Sequence, residues 1–171
     1  EVFQEHVYTE SVQVVLRNAL HHLPAAGAGG PRVLLATVSG EPHGLGLLMA
    51  EAVLAQEGTI DKFMGDAIMA WFNAPIPQKD HTLRAVKAAL AIRASVEKLY
   101  IELPPEAHLA FGAGIHYGEA VLGLIGTEKR LEYTAISDSV NTAKRIQENS
   151  ARNQILLSKD AYERVKRDVE V

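Results

Sequence analysis

The sequence contains no cysteine, which excludes a disulfide scaffold and any thiolate metal site and suits a reducing compartment. No uninterrupted apolar run is long enough to cross a bilayer, and no signal-peptide pattern is present, so the expected location is cytoplasmic. Aromatic residues are scarce at 6%, and Lys and Arg number 17 against 21 Asp and Glu, a formal charge of −4. Nucleic-acid binders usually carry a basic face, and RNA-binding sheets need exposed aromatics; no nucleic-acid partner is expected. The patterns GxxxxGK[ST], HExxH and GxSxG are all missing. The glycine-rich stretch 111–126 is not GxGxxG and follows no helix-opening turn, which rejects a dinucleotide fingerprint. The seven histidines are scattered without a metal-ligand spacing. The first residue is Glu1 rather than Met, so a piece of a longer protein is expected, and anything upstream, such as a sensor or a membrane anchor, would lie outside this sequence.

What is present suffices for one domain with a full core: 171 residues, 47% of them hydrophobic. Residues 7–20 have helical apolar spacing, and the Gly/Pro-rich 23–31 reads as a linker. Residues 1–31 are therefore taken as an N-terminal helix and linker, and 32–171 as the main domain. Within it, 32–38 suits a buried strand, and 45–56 is rich in helix formers and closes on Gly58. A hairpin follows, with strands 59–64 and 67–73 about a Gly65-Asp66 turn. A long helix is expected over 80–100, with Leu83, Val86, Leu90 and Ala94 on one stripe. Strands are expected over 108–118, 119–126, 131–136 and 154–158, and helices over 138–149 and 159–168. Alternating helices and hairpins give an α+β architecture, an antiparallel-rich sheet with covering helices.

Three sets of residues could carry chemistry. In the first hairpin, strict alternation places Ile60, Lys62 and Met64 on one face and Asp61 and Phe63 on the other. Lys62 can simply snorkel to water, and Asp66 is commonplace in a turn; the functional alternative is that Asp66 holds a hard cation with Lys62 nearby as a positive donor. In 138–149, Asn141 and Arg145 share a helix face, with Val140, Ala143 and Ile146 opposite, and Ser137 or Asp138 can cap the start. That face is either a solvated polar stripe or an amide and a guanidinium aimed together at a phosphate. Thr134 is a hydroxyl at a strand end.

"GTIDKFMGDAIMAWFNAP" followed by "FGAGIHYGEAVLGLIGTEKRLEYTAISDSVNTAKRI", in this order and separation, closely resembles the class III adenylate/guanylate cyclase catalytic domain. The resemblance is strong from Gly58 to about Tyr162. It implies a ferredoxin-like nucleotide cyclase fold that works as a head-to-tail homodimer with active sites at the interface. It matches Asp66 to a metal-binding aspartate, Lys62 and Thr134 to the pair that reads the purine, and Asn141 and Arg145 to the pair that orients the ribose and stabilises the transition state. It implies ATP as substrate, two Mg²⁺ or Mn²⁺ ions as cofactors, a role in signal transduction and an upstream regulatory module. A Lys that donates to adenine N1 and a Thr that accepts from the exocyclic amine favour ATP over GTP.

The sequence departs from the family at "LATVSGE" (35–41), where the pattern resembles F-A-D-I-x-G-F and Thr37 stands in place of the first metal aspartate. Pro42 brings no N–H to a triphosphate, and Glu41 would repel one. The span from Gly40 to Gly58 is also shorter than the family's by something like one long helix. Weakened or lost activity is therefore expected, the alternative function being a nucleotide-binding or regulatory dimer partner.

Overall fold

The computed structural model describes residues 44–64, 66–102, 104–105, 108, 111–127 and 130–170. The expected helix over 7–20, the linker and the strand over 32–38 lie outside them, together with Thr37, Glu41, Pro42, Gly65 and Leu109. Among the described residues, four helices and six strands follow in the order α1 (Gly44–Ala55), β1 (Thr59–Met64), β2 (Ala67–Trp71), α2 (His81–Glu102), β3 (Gly112–Ile115), β4 (Val121–Thr127), β5 (Arg130–Ile136), α3 (Asp138–Glu148), β6 (Gln154–Leu157) and α4 (Lys159–Val165). β1–β2 and β4–β5 are antiparallel, and β3–β6 are parallel. The fold is α+β, antiparallel-rich, with helices as cover.

The core forms where α1 meets α2. Met49, Ala52, Ile92 and Val96 are buried together, with Leu45, Ile68, Tyr100 and Phe111 packed against them. On α2 the buried stripe runs through Thr82, Val86, Ala89, Ile92 and Val96, correcting the expected stripe through Leu90 and Ala94; Ala94 is exposed. Steps of four residues drift by about 40° each on a helix of 3.6 residues per turn, so only a mixture of three- and four-residue steps stays on one face.

Two glycines are required by close approach. Helix α1 ends with a left-handed residue, but that residue is Glu57 (φ 57°) rather than Gly58. A Cβ on Gly58 would lie 2.7 Å from the Phe72 ring and from Val53 Cγ1, so Gly58 gives room for packing. A Cβ on Gly114 would lie 2.5 Å from the Ala143 carbonyl oxygen and collide with the Gln147 backbone nitrogen, so α3 rests directly on β3. Because backbone cannot move aside as a flexible side chain can, Gly114→Ala should cost about 1–3 kcal/mol of stability. Thermal unfolding reads this, and an unchanged midpoint would mean α3 does not need that approach.

The loop between β2 and α2 is tied by Gln78, which is buried. Its side-chain oxygen accepts from Asn73 N at 2.9 Å, its own N–H donates to Asn73 Oδ1 at 2.6 Å, and its Nε2 donates to the Glu57 carbonyl at 2.9 Å. These bonds satisfy a buried amide and fasten the loop to the end of α1.

Candidate functional site

The β1–β2 hairpin meets the β4–β5 hairpin along the residues of β5. Register along β1 pairs Ile60 with Ala70 and Lys62 with Met69, so Asp61 is the extra residue of a β-bulge. A bulge breaks the alternation of side chains and re-aims them. This corrects the expectation that Asp61 and Lys62 point to opposite faces: both reach β5. Thr134 Oγ1 donates to Asp61 Oδ2 at 2.8 Å. Lys62 Nζ lies 3.8 Å from that same oxygen and 3.5 Å from Glu132 Oε2. Trp71 meets Tyr133 edge to face, with ring centroids 6.1 Å apart.

The structure thus brings Lys62 and Thr134 together around one carboxylate oxygen. Thr134 is buried, whereas Lys62 keeps 33% of its side chain exposed and Asp61 only 1%. Burial pushes the Asp61 carboxyl above its ordinary range; the Thr134 hydrogen bond and the Lys62 charge pull it back, and Glu132 adds a smaller upward push. Asp61 is the functional candidate that strand periodicity hides. The adjacent Asp-Lys pair was its one sequence signal, and only the bulge makes the two side chains converge.

Helix α3 starts directly after β5. Ser137 caps it, extended at φ −178°, with its Oγ accepting from Val140 N, and Asp138 in the first turn complements the dipole. Of the two capping candidates, Ser137 takes the role. Ser139 Oγ donates to the Glu119 carbonyl at 2.7 Å and ties the helix start to the loop before β4. Asn141 and Arg145 stand one turn apart and exposed, while Val140, Ala143 and Ile146 are half-buried on the inner side. Neither the Asn141 amide nor the Arg145 guanidinium has a side-chain partner among the described residues, so both donor sets point to solvent.

Asp66 follows Gly65 between β1 and β2, exposed and without an ion pair among the described residues. An exposed carboxylate at a strand end is a hard oxygen donor of the kind Mg²⁺ takes in ones or twos, the rest of its octahedron coming from water and phosphate. Among the described residues no group of three or more His, Asp or Glu gathers to hold an ion. Among the described residues, no hydrogen bond or ion pair joins Asp66 to Lys62, Thr134, Asn141 or Arg145.

Around the site, the β4–β5 hairpin exposes large apolar side chains: Val121 at 74%, Leu124 at 67%, Ile136 at 56%, Leu131 at 55% and Tyr133 at 51%. No helix among the described residues is long and apolar enough to cross a membrane.

Comparison with known proteins bears on the family and the fold. The family described as "Adenylate and Guanylate cyclase catalytic domain" matches residues 53–171, beginning downstream of the departures at 35–42. "Adenylate cyclase 1" of Rhizobium meliloti is 39% identical over 58% of the chain, which spans only 15% of that protein. Among solved structures, the adenylyl cyclase CyaB from P. aeruginosa superposes with a TM-score of 0.65 at 25% identity, covering 94% of this chain and 71% of that one. The guanylyl cyclase Cya2 superposes at 0.62 and 33% identity, covering 74% of this chain and 68% of that one.

Proposed function

The chain belongs to the adenylate and guanylate cyclase catalytic-domain family, and from that premise we propose that it is an adenylate cyclase domain, converting ATP to 3′,5′-cyclic AMP and pyrophosphate in intracellular signalling. Similarity to both an adenylyl and a guanylyl cyclase leaves the base to be argued from the site. The observation that carries the reading is the convergence of Lys62 and Thr134 on Asp61 Oδ2. An ammonium donates to adenine N1, an acceptor, and a hydroxyl accepts from the exocyclic amine; guanine presents the reverse pattern at both atoms.

In the reaction the 3′-hydroxyl oxygen attacks the α-phosphorus in line, the bond to pyrophosphate breaks, and the hydroxyl proton is lost. Two divalent ions, Mg²⁺ or Mn²⁺, when bound, would lower the hydroxyl pKa and neutralise the leaving group. Asp66 is the side chain that would hold them, with residue 37 as the second family position. Asn141 orients the ribose, and Arg145 meets the charge that grows on the phosphoryl oxygens. In this reading Asp66 serves one active site, while Lys62, Thr134, Asn141 and Arg145 serve the site completed by the second copy of a head-to-tail homodimer. The large apolar side chains that the β4–β5 hairpin leaves exposed support that division, since such a patch fits a surface covered by a second copy. An ATP substrate also places the domain on the cytoplasmic side, and relatives far longer than the chain leave room for a regulatory module.

A second reading rests on Thr37: a nucleotide-binding or regulatory partner that keeps the base site with little turnover. Product analysis with ATP or GTP and Mn²⁺ tests the primary proposal. Cyclic AMP should exceed cyclic GMP by about tenfold or more, because polar groups paired with one substrate are left unpaired with the other. Equal yields of the two products would refute adenylate specificity, and ATP binding without turnover would favour the second reading.

A further inference from the structure

A lysine and a threonine do not by themselves reject guanine. The Lys62 ammonium can turn toward the guanine 6-carbonyl, and an untethered hydroxyl can rotate to donate to it as well. Selectivity requires that the hydroxyl rotor be fixed. Thr134 has one proton, and it is directed at Asp61 Oδ2, 2.8 Å away. An ionised carboxylate only accepts; burial works against that form, while the Thr134 hydrogen bond and the Lys62 ammonium 3.8 Å from the same oxygen favour it. Two lone pairs are then all that Thr134 has left to offer.

We infer that Asp61 is a specificity-determining positioning residue: by accepting the one hydrogen bond Thr134 can donate it leaves that hydroxyl an acceptor only, so the site admits a 6-amino purine and rejects a 6-oxo purine. The inference rests on the reading that Lys62 and Thr134 face the base, and it assigns the discrimination to a residue behind them. Several features converge on this role. Asp61 is the extra residue of the bulge in β1, a placement that turns it toward β5. Its side chain is 1% exposed, so solvent does not compete for the hydroxyl proton. Thr134 is itself buried, which raises the cost of leaving a polar partner unpaired. Lys62, held between Asp61 and Glu132 at 3.8 and 3.5 Å, has its ammonium located beside the same hydroxyl.

Equilibrium titration of the whole chain with ATP and with GTP tests this. The readout is the ratio of the GTP to the ATP dissociation constant. Asp61→Ala frees the rotor and should lower the ratio about tenfold, mainly by tightening GTP. Asp61→Asn, which keeps the side-chain volume but can donate as well as accept, should lower it in the same direction by about threefold; it carries the test if circular dichroism shows the alanine variant unfolded. In a Thr134→Val background neither Asp61 change should move the ratio further, because there is no rotor left to set. A folded Asp61 variant that weakens both nucleotides equally, or that still shifts the ratio in the Thr134→Val background, would overturn the inference while leaving the base-reading assignment standing. If Lys62→Ala and Thr134→Val both leave the ratio at its unsubstituted value, the assignment itself fails and the inference with it.

Discussion

Thr37→Asp should raise cyclic AMP formation by about a hundredfold or more, the scale on which metal and electrostatic stabilisation act in phosphoryl transfer. The reason is charge. An attacking hydroxyl and a leaving pyrophosphate both need a cation close by, and Asp66 alone brings one carboxylate where the family pattern has two. A threonine hydroxyl is a neutral donor and does not offset the second charge. A hydrophobic or helical position would tolerate Asp poorly, but the resemblance reads residue 37 as a metal-aspartate position, and in that reading the substitution restores a pattern. Cyclic AMP measured over a Mg²⁺ and Mn²⁺ series reads the gain. Asp66→Asn added to Thr37→Asp should remove it again, because one carboxylate is then left. Full turnover in the unsubstituted chain, with no gain on Thr37→Asp, would sink the idea that residue 37 limits the rate.

In the Thr37→Asp background, Arg145→Ala should lower turnover by about 10²–10³-fold, as the loss of one preorganised donor to a developing negative charge typically does. Arg145 is exposed on α3, so its removal leaves packing intact and the unfolding midpoint near that of the parent. A loss in kcat with little change in KM is the expected signature of an interaction made in the transition state. Mixing tests where the residues act. Chains with Arg145→Ala and chains with Asp66→Asn should each be inactive alone, yet regain about a quarter of the parent rate when combined, since half of randomly mixed dimers are heterodimers with one intact site. No recovery on mixing would mean that Asp66 and Arg145 serve the same active site of a single chain.

Local chemistry made most of the secondary structure legible. The hairpin strands begin and end close to the expected limits because apolar alternation broken at Gly65-Asp66 has few other solutions. Helix α3 starts after Ser137 because a side-chain acceptor there satisfies the Val140 N–H. The spacing of Asn141 and Arg145 guaranteed a shared helical face, whatever surrounds it.

Other features were decided by contacts between elements distant in sequence. The α2 stripe shifted from Leu90 and Ala94 to Ala89 and Ile92 because α1 lies against that side. The left-handed φ fell on Glu57 while Gly58 was consumed by the approach of Phe72 and Val53. The group of Asp61, Lys62 and Thr134 is the clearest case. Residue identities determined that a lysine, a threonine and a nearby aspartate exist, and the period-2 rule then separated Asp61 from Lys62. One inserted residue in β1 brought both side chains to β5. The sequence by itself thus determined most of the elements, the shared face of Asn141 and Arg145 on α3 and the family, because those follow from short-range spacing and composition. Tertiary structure alone decided that Asp61, 73 positions away from Thr134 in the chain, accepts its hydrogen bond, because a hydrogen bond depends on where two backbones meet and no local pattern encodes that meeting.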